Sequence, residues 1–300
     1  MNKNNDYDYN QISPTAKITG YWKSLSDIPF SKEIAEAVNA EQTAKKMQGD
    51  TFSIRDKLGP VMLEARYKVI NEGLRRIKVA NVLELACGLS PRGLELASNN
   101  IKYVGTDLPE IHSECFPVIN KIMLRCGISD KNLHYQAADV LNRSDLENAI
   151  KYFNGEKTGI CNEGLLMYLN KKEKETMAYN IKDILIRNGG YWVTTDILFT
   201  NIREQLFNLI KPESKKKLEI HMENISGQIG RDFPGNEFKG EIEAKEFYEN
   251  IGFKIETFPF YNNNYKYKLS TLSLVPEEME EPVLNILSKS MCWILTPIIN

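Results

Sequence analysis

Beyond residue 80 of this chain, short apolar runs alternate with longer stretches whose apolar positions recur every three or four residues. Val82, Leu83 and Leu85 form the first run, which yields at Gly88, Ser90 and Pro91 to a turn and then to Gly-Leu-Glu-Leu-Ala in helical register. The rhythm repeats. Strands are predicted at Ile101 to Asp107, Leu133 to Asp139, Thr158 to Asn162 and Tyr191 to Asp196, with helices at Glu110 to Arg125, Ser144 to Phe153 and Lys171 to Arg187 between them. Strands separated by helices of this length imply right-handed crossovers and a mostly parallel sheet, so the fold class is a doubly wound, Rossmann-like α/β sheet. Upstream, a helix is predicted from Ser31, as N-cap, to about Gln48, and another from Pro60 to Ile77. Downstream, a helix at Ala244 to Asn250 precedes two strands, Phe253 to Tyr261 and Tyr265 to Val275, joined by Asn262, Asn263 and Asn264. That connection is too short for a crossover, so the pair should form an antiparallel hairpin.

This pattern divides the chain into an N-terminal segment and helical cap at 1–79, a core at 80–276 with an insertion near 199–240, and a C-terminal helix at 277–300. The apolar residues of the last stretch suit a packing helix or a homodimer contact better than a membrane anchor.

Three hundred residues with 42% hydrophobic content can bury one large core. A formal charge of -2 gives no general attraction to nucleic acid or to an anionic membrane, and neither is expected as a partner. The five cysteines include no CxxC pair and read as reduced core thiols, with no metal site expected. The opening MNKNNDYDYN lacks a signal peptide's apolar stretch, and no run approaches the ~20 apolar residues of a membrane span, so a cytoplasmic location is expected.

The chemistry should lie at the carboxyl ends of the strands, where open α/β sheets bind ligands. Glu84, Asp107 and Asp139 stand there in succession. An acid at the end of the second strand can accept both hydroxyls of a ribose, and one at the end of the third can accept an adenine amino group. Gly88 has no side chain to hold a ligand off the loop backbone. A nicotinamide cofactor is disfavoured because Ala86, Gly88 and Pro91 replace the GxGxxG spacing.

Together, the ELACGLSPRG loop, the two aspartates and the string EGLLMYL at Glu163 to Leu169 resemble class I S-adenosylmethionine-dependent methyltransferases, and among them the leucine carboxyl methyltransferase-like family. The resemblance spans roughly Ile12 to Val275 and implies an O-methyltransferase using S-adenosylmethionine on a carboxylate or hydroxyl of a small molecule or peptide terminus. By resemblance, Glu84, Ala86 and Gly88 approach the methionine part of the cofactor, Asp107 with Leu108 its ribose, and Asp139 with Val140 its adenine. Glu163 would hold the ammonium and Arg66 a carboxylate of cofactor or acceptor. The family's loop often has Gly where Ala86 stands.

Tyr21, Arg66, Tyr168 and segment 199–240 are expected to shape the acceptor pocket. An ionised carboxylate acceptor needs no base, whereas a hydroxyl would, with His221 as a candidate. Two other readings stay open: an NAD-dependent oxidoreductase, and a catalytically inactive cofactor-binding or scaffold protein.

Overall fold

The computed structural model describes residues 13–48, 54–153, 155–197, 199, 204–205, 208–209 and 236–299. A seven-stranded sheet organises them. Its strands are β1 (Asn81–Leu85), β2 (Lys102–Asp107), β3 (Leu133–Ala137), β4 (Thr158–Asn162), β5 (Gly190–Thr194), β6 (Phe253–Pro259) and β7 (Met291–Pro297), in the order β3-β2-β1-β4-β5-β7-β6. β1 to β5 run parallel, and β7 lies antiparallel to both β5 and β6. The chain moves outward from β1 to β3 and then returns to place β4 on the other side of β1. That reversal opens a crevice beyond the carboxyl ends of β1 and β4.

Strand alternation divides the core in two. Val82, Tyr103, Cys161 and Val193 face one layer, and Leu83, Val104, Ile160 and Trp192 face the other. The first layer is closed by α4 (Ile54–Ile77), whose Val61, Ala65, Val69 and Ile70 are buried, and by α6 (Pro109–Arg125). Against the second packs α8 (Lys171–Asn188), which presents Met177, Ile181 and Ile184 and starts with a complete capping box between Asn170 and Glu173. The turn leaving α8 requires Gly190: at φ 126° a Cβ there would sit 1.9 Å from the Thr158 carbonyl oxygen.

The remaining helices are α1 (Ser13–Ser24), α2 (Ser31–Ala37), α3 (Ala40–Gln48), α5 (Arg92–Ser98), α7 (Arg143–Ala149), α9 (Glu241–Ile251) and α10 (Glu277–Lys289). Among the described residues no helix is long and apolar enough to cross a membrane.

Several expectations are corrected. The single helix from Ser31 to Gln48 is two, broken where Asn39 takes φ 51°. Ser31 is not its N-cap, because its hydroxyl donates to the Ile28 carbonyl at 2.7 Å. The sheet does end antiparallel, but the partner of β6 is β7 and not Tyr265 to Val275.

In that predicted strand, the Tyr265 and Tyr267 hydroxyls donate to the Pro259 and Phe260 carbonyls, and Ser270–Leu274 coils into a 3-10 turn. Buried Glu64 of α4 fixes this turn, accepting the Ser270 and Thr271 N–H groups at 2.8 Å each. The C-terminal stretch is accordingly a helix only as far as Lys289, and Met291–Pro297 is sheet. Of the insertion near 199–240, most lies outside the described residues, yet its ends meet: Phe199 bridges Phe238.

Candidate active site

The crevice holds a cavity of about 280 Å³. Its floor is the loop from β1 to α5. Ala86 and Gly88 take left-handed φ values of 52° and 48°, a conformation that costs a side-chain-bearing residue such as Ala86 about 1–2 kcal/mol. The loop is pinned by Cys87 N–H donating to the Thr106 carbonyl at 2.9 Å and Ser90 N–H to the Cys87 carbonyl at 2.8 Å.

Asp107, at the end of β2, reaches back to this loop. Its carboxylate accepts the Gly88 N–H at 2.7 Å and the Leu108 N–H at 2.8 Å. Burial raises its pKa to about 6, opposed by those two N–H groups and assisted by the charge of Glu84. The Gly88 N–H is thus engaged by Asp107 and not aimed at a ligand, although the missing side chain does leave room: a Cβ there would stand 3.9 Å from Asp107 Oδ2. Beyond β3, Ala138, Asp139, Val140 and Leu141 form the next wall, and the Asp139 carboxylate accepts the Leu141 N–H at 2.9 Å.

Past β4, the EGLLMYL string turns along the cavity and contributes Glu163, Gly164, Leu165, Met167, Tyr168 and Leu169 to its lining. Glu163 pairs with Lys23 of α1 and with Arg92 of α5, each at 3.0 Å. Burial pushes its pKa up, but the neighbouring cations Lys23, Arg66 and Arg92 prevail and bring it below the usual value. Burial pushes the Tyr168 hydroxyl to about 12, so it stays protonated at neutral pH. The cavity is closed by Ala16, Thr19, Gly20 and Lys23 of α1 and by Leu63 and Arg66 of α4.

Nine residues expected in the site therefore converge on one cavity: Arg66, Ala86, Gly88, Asp107, Leu108, Asp139, Val140, Glu163 and Tyr168. Glu84 does not line it. Its buried carboxylate is turned into the protein, accepting from the Tyr103 hydroxyl at 2.7 Å and the Ser90 hydroxyl at 3.2 Å and pairing with Arg92 at 3.2 Å. Tyr21 sits half-buried on α1 outside the lining, where the face that reaches the cavity carries Thr19, Gly20 and Lys23. His221 lies outside the described residues.

Three residues escaped sequence reasoning. Lys23 shares a helical face with Thr19 and Gly20, a signal legible only once Ser13–Ser24 is known to be a helix. Arg92 is fully buried beneath the loop, joining Glu84 and Glu163 and donating to the Tyr67 carbonyl at 3.1 Å. Asp196, just past β5, is a further acid at a strand end. It accepts from Arg66 Nη2, Asn162 Nδ2 and the Gly164 and Leu165 N–H groups, each at 2.7 Å, and from the Leu166 N–H at 3.2 Å.

No protein-family model matches the chain, and no curated protein matches it in sequence. Among solved structures, it is similar to a Thermobifida fusca protein assigned provisionally as a methyltransferase: 15% identity over 95% of this chain and 94% of that one, with a TM-score of 0.53. It is also similar to the magnesium protoporphyrin IX methyltransferase of Synechocystis PCC 6803, solved with bound S-adenosylhomocysteine: 11% identity, 79% and 84% coverage, TM-score 0.44. The first likeness extends over nearly the whole of both chains, and what it establishes is the fold, a seven-stranded methyltransferase-type α/β sheet with antiparallel C-terminal strands.

Proposed function

We propose that the chain is an S-adenosylmethionine-dependent O-methyltransferase acting on a carboxylate or hydroxyl of a small molecule or peptide terminus. The observation that carries this reading is the single cavity at the switch point, with Asp107 and Asp139 at successive strand ends and with Lys23, Arg66 and Glu163 also in its wall. These residues fit the cofactor. Asp107 Oδ1 and Oδ2 each accept one backbone N–H, which leaves each oxygen a lone pair for a neighbouring pair of hydroxyls. Val140, Leu141 and Ile111 offer apolar surface to a base, and Arg66 and Lys23 offer positive charge to a carboxylate.

When bound, the cofactor supplies an electrophilic methyl group. The protein's own contribution is alignment and exclusion of water: reacting atoms held at about 3 Å within a dry cavity gain most of the acceleration from orientation. Tyr168 remains protonated and serves as a donor rather than a base. No histidine is among the described lining residues. An acceptor that is already ionised, a carboxylate, suits these side chains better than an alcohol. The same preference follows from the leucine carboxyl methyltransferase-like resemblance, whose most specific string supplies six of the lining residues.

Thermal unfolding with S-adenosylmethionine, S-adenosylhomocysteine and NAD tests the cofactor. Both sulfur ligands should stabilise the protein, by ~2.7 kcal/mol at a hundred times the dissociation constant, and NAD should not. No shift with either sulfur ligand refutes the reading. A second step presents carboxylic acids and alcohols with labelled cofactor. Base-labile methyl esters are expected, and methyl ethers alone would place the acceptor among the alcohols.

A further inference from the structure

We propose that Asp196 is a positioning residue that sets Arg66 for carboxylate recognition and, through the same carboxylate, fixes the turn after β4. The inference rests on reading the cavity as the S-adenosylmethionine site, and adds to it a residue whose own side chain lies outside the lining. Asp196 is 7% exposed and follows β5, whereas Arg66 comes from α4, 130 positions earlier in the chain. Their contact is a single charge-assisted bond from Arg66 Nη2 to Asp196 Oδ1 at 2.7 Å, with Arg66 Nε and Thr195 Oγ1 at 3.5 Å. Among the described residues Nη1 has no hydrogen-bond partner. The Arg66 side chain is 18% exposed and lines the cavity, so a guanidinium held along one edge leaves donors for an incoming carboxylate.

The other donors to Asp196 explain why one anion can serve two purposes. Oδ1 also accepts the Gly164 N–H, and Oδ2 accepts Asn162 Nδ2 and the N–H groups of Leu165 and Leu166. These backbone groups belong to the turn that carries Glu163 and Tyr168 into the cavity. Gly164 takes φ 82°, and a Cβ there would stand 3.7 Å from Arg66 Nη2, so turn and guanidinium are packed against each other. Moving the carboxylate would therefore displace Arg66 and the turn together.

The test compares two ligands that differ in the amino-acid moiety. S-adenosylhomocysteine carries a carboxylate and 5′-methylthioadenosine does not. Dissociation constants are measured calorimetrically for the wild type, Asp196→Asn, Arg66→Ala and the double variant. Asp196→Asn should weaken S-adenosylhomocysteine by about tenfold or more and 5′-methylthioadenosine by less than about threefold, with a clearly smaller loss when added to Arg66→Ala than in the wild type. Equal weakening of both ligands, or losses that multiply in the double variant, would overturn the proposal by making Asp196 a structural anchor only. Should Asp196→Asn not fold, Asp196→Glu carries the same comparison, since it keeps the anion and moves it along the turn. A wild type that binds neither ligand refutes the methyltransferase reading itself, a result distinct from loss of the selective pattern.

Discussion

Three buried charged side chains, Arg92, Glu84 and Glu163, form an ion network beneath this cavity and reach its wall at Glu163. Arg92 is wholly buried and neutralises two acids, Glu84 beneath the loop and Glu163 in the cavity wall, while its guanidinium lies 4.3 Å from the centre of the Tyr67 ring. Removing one partner of such a network strands the others, which costs about 3–5 kcal/mol. Arg92→Met is therefore expected to lower unfolding stability in denaturant by that amount, and a loss below 1 kcal/mol would show that the network is not structural.

Asp107 makes a prediction with a definite sign. Its pKa is raised by burial from 3.8 to about 6, so folding favours the protonated form; this stabilisation is complete below the ordinary carboxylate range and is lost as pH rises through about 6. A ligand donating hydroxyls to the carboxylate favours the ionised form instead. Affinity for S-adenosylhomocysteine should thus rise between about pH 5 and about pH 7 and then level off, and Asp107→Asn should flatten the profile. Calorimetric titration across pH checks both statements; a flat wild-type profile would remove Asp107 from the ligand's contacts.

Among the elements, β7 is the one most misjudged from sequence. Met291, Trp293 and Ile294 continue the apolar spacing of the helix before them, so the stretch reads as more helix. In the structure the strand lies between β5 and β6 with Cys292, Trp293 and Leu295 fully buried. A strand covered on both faces shows no alternation, and periodicity cannot separate it from a buried helix. The position also decides what truncation does. Ending the chain at Ser290 removes the strand that joins β6 to the sheet and exposes the Trp192 layer, so the shortened protein is expected to lose cooperative unfolding by near-ultraviolet circular dichroism. A dispensable dimer or packing helix would leave that transition intact. The β1 to β5 strands were legible for the opposite reason: each is a short run closed by an acid or a turn, and a helix separates each from the next.

For the whole molecule, the sequence by itself determined the doubly wound sheet and pointed to the cavity at its strand ends and to nine of the residues that line it, because local periodicity and crossover length leave few topologies open. Asp107 and Asp139 were readable because strand ends alone give their places, Gly88 because the turn after β1 calls for a glycine, and Glu163 only through the EGLLMYL resemblance. What only the tertiary structure decided was the direction of each charge. Glu84 lies one residue before the end of β1, whereas Asp107 is the last residue of β2, and alternation along β1 points Glu84 into the packed layer toward Arg92 and Tyr103. Lys23, Arg92 and Asp196 acquire their roles from partners 71 to 140 residues away, Glu163 for the first two and Arg66 for the third. Such pairings follow from how helices pack on the sheet, and no local pattern in a single sequence specifies them.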